Sequence, residues 1–245
     1  MMMGRIEFNK YESRGAYHWD QVSRSVRRHN ALASARYDAI LSALGDVRGQ
    51  LLLDIGGGDD VLSYLMTRLG AQTVTVDTTH LALRFGRVEF ARRGLEGRAV
   101  EASACALPFS TRSFDGAVCS DVIEHVQSPT RLLTEAERVL CPGGRFVLTT
   151  PLRVTEKPLD HTHVRESFAD ELAGLLTSAF SDVTVAMFAP MALMELFRLP
   201  FRWLGGRPLF RYLFNAADIY LSRNPFAARD AFRYSSMLIA TGQKG

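Results

Sequence analysis

The chain is poor in the features that would assign it to several large protein classes. Its 245 residues hold three cysteines, Cys105, Cys119 and Cys141. That odd number without ligand spacing argues against a disulfide framework and a cysteine metal site. No run of 18 apolar residues occurs, so no segment is expected to span a membrane. The start, MMMGRIEFNK, lacks the apolar stretch of an export signal, which makes the cytoplasm the expected compartment. A formal net charge of +3 is too small to point to nucleic acid. There is also no Asn-Pro-Pro-Tyr-type motif for a flipped base and no appended basic domain, so no nucleic-acid partner is expected. Repeats, low-complexity tracts and a linker between domains are absent as well.

What is present is a sequence that is 47% hydrophobic and 22% charged, enough to bury a sizeable core. From Gln50 onward, short apolar runs (LLLDI, TVTVD, GRAVEA, FDGAVCS, RFVLTT) alternate with helical patterns at Val61 to Leu69, Leu81 to Arg93 and Thr130 to Leu140. Strands alternating with helices of that length imply right-handed crossovers and a mostly parallel sheet covered on both faces. The expected fold is therefore α/β and doubly wound. A helix near Ser167 to Ser178, a strand at Asp182 to Phe188 and a last run FRYSSMLIATG follow. Residues 1–49 read as an N-terminal helical extension with its arginines on a solvated face, and residues 50–245 as the main domain.

The stretch LLLDIGGGDD, Leu51 to Asp60, puts three glycines directly after a strand. In an open α/β sheet, ligands sit outside the carboxyl ends of the strands, beside the first one, where a side chain would obstruct them. About twenty residues on, the second strand ends in Asp77, placed to accept from ribose hydroxyls. A dinucleotide fingerprint would need a small residue where Val61 stands. Asp59 and Asp60 would also crowd a pyrophosphate, so a cofactor carrying positive charge suits the loop better.

These residues resemble the class I S-adenosylmethionine-dependent methyltransferases, in particular the group that includes ubiquinone-biosynthesis and small-molecule enzymes. LLLDIGGGDD resembles the family's D-x-G-x-G-x-G motif and VTVDTT its ribose-binding strand end. ALPFSTRSFDGAVCSDVIEHV resembles its LPF…FD…EHV segment, and RVLCPGGRFVLTTP its PGG strand. The match runs from Leu51 to Pro151 in the family's order. It implies a seven-stranded Rossmann-like methyltransferase fold with S-adenosylmethionine as cofactor and S-adenosylhomocysteine as product. By position it implies that Asp54, Gly56, Gly57 and Gly58 lie near the methionine end of the cofactor. Asp77 and Thr78 would then hold the ribose, Ser103 and Ala104 the adenine edge, and Ser120 and Asp121 the floor beside the sulfonium. Two departures stand out: Asp60 replaces the motif's last glycine and would narrow the methionine pocket, and Ser103 replaces an acid that commonly meets the adenine amino group.

Methyl transfer from a sulfonium is an in-line displacement, so the protein must align donor and acceptor and, for a hydroxyl or ammonium acceptor, remove a proton. The candidate proton acceptors are His125 in DVIEHV, and His161 and His163 in DHTHVRES. Asp121, Glu124 and His125 also resemble the metal-binding motif of ubiquinone-type O-methyltransferases, but the preferred reading has no metal.

Residues 188–229 carry nine of the 24 aromatics, with six arginines against two acids, and are broken by Pro200, Gly205, Gly206, Pro208 and Pro225. The segment reads as a helical cap insert bordering the substrate pocket. It would close over a large apolar or anionic acceptor, contact a membrane surface peripherally, or simply pack its aromatics on the core or on a second copy in a homodimer. The leading expectation is transfer to an oxygen or nitrogen of a small molecule. Alternatives are a lipid-type or quinone acceptor at a membrane surface, or a non-catalytic cofactor-binding subunit.

Overall fold

A computed structural model describes residues 10–156, 158, 160–200, 206, 208–229 and 234–245. Seven strands form one sheet: β1 Leu51–Ile55, β2 Gln72–Asp77, β3 Ala99–Glu101, β4 Phe114–Ser120, β5 Leu140–Pro151, β6 Ser181–Pro190 and β7 Ser235–Gln243, in the order β3-β2-β1-β4-β5-β7-β6. All pairings are parallel except the two made by β7. The central strand β1 is nearly continuous apolar sequence because both its faces are covered. Chain direction around the sheet reverses between β1 and β4, which are hydrogen-bonded neighbours with Ile55 opposite Cys119. That switch point opens a crevice at the strands' carboxyl ends.

Helices α1 Lys10–Arg14, α2 Tyr17–Gln21 and α3 Ala31–Leu44 precede the sheet; α4 Val61–Arg68, α5 His80–Ala91, α6 Pro129–Val139 and α7 Ala169–Leu176 lie between strands. Helix α6 shows why such segments are helical: Pro129 starts it, and Leu132, Leu133, Ala136 and Val139 recur at helical spacing to fill the core. Asn30 begins α3 by accepting from the backbone N–H groups of Leu32 and Ala33 at 3.2 and 3.4 Å.

The insert is helical, α8 Met191–Arg198 and α9 Leu209–Leu221, with residues 201–205 outside the described set. Its packing departs from the cap reading and follows the core-packing one: none of its described residues lines the main cavity. It braces the N-terminal segment instead. Fully buried Asn215 of α9 donates to Val26 O and His29 O at 2.9 and 2.6 Å and accepts from Ala31 N at 3.0 Å. Asp218 pairs with His29 at 2.7 Å, and Arg229 donates to Ala39 O.

Candidate active site

A cavity of about 560 Å³ opens at the switch point, within the range of small-molecule sites. The loop after β1 forms its floor. Gly56 and Gly58 have φ of +73° and +59°, and a Cβ on either would overlap a neighbour, the Val122 side chain or the Tyr11 hydroxyl. The glycines therefore make room for the protein's own walls as well as for a ligand. Asp77 locks the loop by accepting from Gly58 N at 3.0 Å and Thr79 N at 2.7 Å. Burial pushes its carboxyl up, while these N–H groups hold it down. Asp54 is buried and accepts from Ser63 Oγ at 3.0 Å; burial raises its carboxyl to about 7.

The cavity wall brings together Asp54, the three glycines, Asp77, Thr78, Ser103, Ala104, Ser120 and Asp121. The chemistry of this lining is compatible with S-adenosylmethionine: buried acids, a side-chain-free cradle, and a wall of small residues at Ala102 to Ala104. The paired acids behave differently from expectation. Asp59 is fully buried and pairs with His18 Nδ1 at 2.8 Å, while its carbonyl accepts from Trp19 Nε1 at 2.7 Å, so it anchors α2. Asp60, at φ +65°, sits against Gly86 of α5 and does not line the cavity, so it does not narrow the methionine pocket. Burial lifts its carboxyl to about 8.

The other end of the cavity holds the candidate bases. His125 and His163 both line it, with ring centroids 5.0 Å apart. His125 Nδ1 lies 2.9 Å from Thr162 O, and burial lowers its pKa; His163 Nδ1 lies 2.7 Å from Glu166 Oε1. His161 does not join them. Its side chain is 95% exposed and outside the cavity, because the turn that accepts through Asp160 directs Thr162 and His163 inward instead. Glu124 is buried, accepts from Thr150 Oγ1 at 3.1 Å, and has its carboxyl pushed well up by burial and by Asp121.

A divalent ion would find potential ligand atoms of Glu124, His125 and His163 within 4.8 Å of one another. This set differs from the acid-x-x-Glu-His pattern in the sequence, because Asp121 is committed elsewhere. At φ +53°, it pairs with Arg36 and accepts from Thr149 Oγ1 at 3.1 Å.

Arg36 corrects a sequence expectation. It belongs to α3, lies with Tyr37 in the cavity wall rather than on a solvated face, and stacks over the Tyr37 ring at 5.3 Å. Tyr11, Tyr17 and His18 line the cavity as well, so the N-terminal segment forms its roof. Sequence reasoning missed these residues; the aromatic cluster Tyr11, Tyr17, His18 and Trp19 was the available signal.

Comparison with known proteins agrees with this geometry. A family model described as a methyltransferase domain matches residues 53–148. The demethylmenaquinone methyltransferase of Clavibacter sepedonicus is 32% identical over 171 residues, 64% of this chain and 68% of that protein. The ubiquinone biosynthesis O-methyltransferase of Xanthomonas oryzae pv. oryzae (strain PXO99A) is 31% identical over 153 residues, 59% of this chain and 60% of that protein, so the match spans under two thirds of that relative. Phosphoethanolamine N-methyltransferase 2 of Haemonchus contortus, solved with S-adenosyl-L-methionine, superposes with a TM-score of 0.65 at 18% identity. The likeness covers all of this chain and 61% of that one, and it speaks for the fold alone. Sheet order, loop and sequence relatives together make this chain a member of the class I S-adenosylmethionine-dependent methyltransferases, whose cofactor the site fits.

Proposed function

We propose that the chain transfers the methyl group of S-adenosylmethionine to an oxygen or nitrogen of a small molecule. The observation that carries this reading is one continuous cavity whose floor is the glycine loop with Asp77 and whose far wall holds His125 and His163. The cofactor supplies an electrophilic methyl on a sulfonium, already activated for displacement. In this reading Asp77 and Thr78 orient the ribose, and Asp54 and the glycines hold the methionine end. Ser103 and Ala104 bound the adenine, and Ser120 and Asp121 bound the floor beside the sulfonium. His125, kept neutral by burial, or His163, held by Glu166, takes the acceptor's proton as its oxygen or nitrogen attacks. Alignment does most of the work, since in-line geometry supplies a large part of such a rate enhancement.

Calorimetry with S-adenosylmethionine and S-adenosylhomocysteine, and with NAD as the competing ligand, tests the reading. Binding of the first two, lost in Asp77→Ala, is expected. Preference for NAD, or no binding by a folded protein, would refute it.

A quinone-type acceptor is the second reading, supported by the names of the two relatives and by Leu213, Tyr220 and Leu221 of α9, all more than half exposed. No described helix is long and apolar enough to cross a membrane, so contact would be peripheral, with the protein otherwise cytoplasmic. Replacing these three residues by glutamate should reduce co-sedimentation with anionic vesicles. Equal sedimentation of both forms, or of neither, would sink membrane contact. Homodimerisation through the same face would appear as a concentration-dependent mass in light scattering.

A further inference from the structure

Arg36 of α3 and Gln21 of α2 lie where the main cavity meets a smaller chamber of about 110 Å³, and they line both. Each carries a buried polar atom with no hydrogen-bond partner among the described residues: Nε–H of Arg36, a donor, and Oε1 of Gln21, an acceptor. Leaving buried groups of opposite kind unmet is costly on both counts, and one ligand can relieve both. The guanidinium is held at its other edge, where Nη1 donates to Asp121, so its orientation is fixed before a ligand arrives. An oxyanion is the partner that a guanidinium binds most strongly, and a hydroxyl beside it would donate to Gln21.

The main cavity carries further cations beside its six carboxyls, Asp54, Asp59, Asp77, Asp121, Glu124 and Asp160. Arg14 lines it and makes no ion pair among the described residues, and Lys10 lines it too. Of the acids at this end, Asp121 is engaged by Arg36 and Thr149, and Asp160 by the backbone N–H and hydroxyl of Thr162 at 2.9 and 2.7 Å, while Glu124 keeps one oxygen unpartnered among the described residues and its carboxyl is pushed well up by burial. The small chamber is otherwise walled by Asn30, Leu32, Ala33 and Met237. It offers a single charged donor, which suits a carboxylate better than a doubly charged phosphate.

We propose that the methyl acceptor is a small hydroxycarboxylate, its carboxylate held by Arg36 and its neighbouring hydroxyl by Gln21, while a further oxygen or nitrogen of the same molecule, facing His125 and His163, forms the bond to the methyl as the methyl–sulfonium bond breaks and gives its proton to one of those histidines. This assignment rests on the methyl-transfer reading above.

The test titrates the protein, saturated with S-adenosylhomocysteine, with three probes: salicylate, its neutral isostere salicylamide, and benzoate, which lacks the hydroxyl. Salicylate should bind at least about tenfold tighter than salicylamide, Arg36→Gln should erase that preference, and Gln21→Leu should erase the preference of salicylate over benzoate. If salicylate and salicylamide bind alike, or neither binds, while S-adenosylhomocysteine still does, the hydroxycarboxylate assignment is overturned and the methyl-transfer reading stands. Failure of S-adenosylhomocysteine to bind the parent protein removes that reading, and the assignment with it. Should Arg36→Gln itself lose S-adenosylhomocysteine, Gln21→Leu decides: the preference for salicylate over benzoate must vanish in it, and its survival overturns the assignment.

Discussion

Asp60 is the residue whose charge is hardest to accommodate. It is 1% exposed, and neither carboxyl oxygen meets a hydrogen-bond partner among the described residues. In an unfolded chain its carboxyl ionises near about 3.9; in the fold, burial holds it up to about 8. The folded state thus keeps a proton that the unfolded state has lost, so this group's stability is full below about pH 4 and drains away as pH rises to about 8. Asp54, raised to about 7, adds to the same slope. Asp60→Asn keeps the shape and removes the charge. Its stability in urea should approach the parent's near pH 4 and exceed it by several kcal/mol, up to about 5, at pH 8. A difference independent of pH would show that the carboxyl is not titrating in the fold.

At the scale of elements, the insert and the N-terminal segment hold each other in place. Asn215 alone satisfies three backbone groups of the residues leading into α3. Asn215→Ala should therefore cost about 2–4 kcal/mol, seen as a fall in melting temperature of roughly 2–4 °C per kcal/mol for a chain of this length. A loss near zero would mean that α9 is not what orders residues 26–31. Much of the sheet was legible in the sequence: LLLDI and FDGAVCS coincide with β1 and β4, and Asp77 ends β2. Those elements announce themselves locally, through apolar runs and punctuating glycines. The bracing by Asn215 was not legible, because it joins residues 184 to 189 positions apart, and a polar residue on a helix gives no local sign of being buried.

The same distance problem hid half of the site at the scale of the whole molecule. Helix α3 carries small or apolar residues around most of its circumference and is buried against both the sheet and α9, so no polar face marked Arg36 as turned toward Asp121, 85 positions away. The cavity lies between the switch point of the sheet and a roof made by α1 and α2, short helices of five residues each. Side chains of that roof reach into the body of the fold: Asp59 pairs with His18 and its carbonyl accepts from Trp19, Trp19 lies against Tyr64 at 4.9 Å, Arg93 lies over Trp19 at 4.0 Å, and Tyr11 sits above Gly58. Tyr11, Tyr17 and His18 line the cavity opposite the glycine loop, so a roof that lifts would widen the way in for a molecule of the cofactor's size. Short peripheral elements open at lower free-energy cost than the core. Amide exchange of residues 10–21 should accordingly be fast in the free protein and slow once S-adenosylhomocysteine is bound. Asp59→Ala should speed exchange there without changing that of α6, on the far side of the sheet. Exchange of residues 10–21 that is slow and indifferent to ligand would mean that the roof is a fixed wall, and that the cofactor must enter along the His125 and His163 side instead.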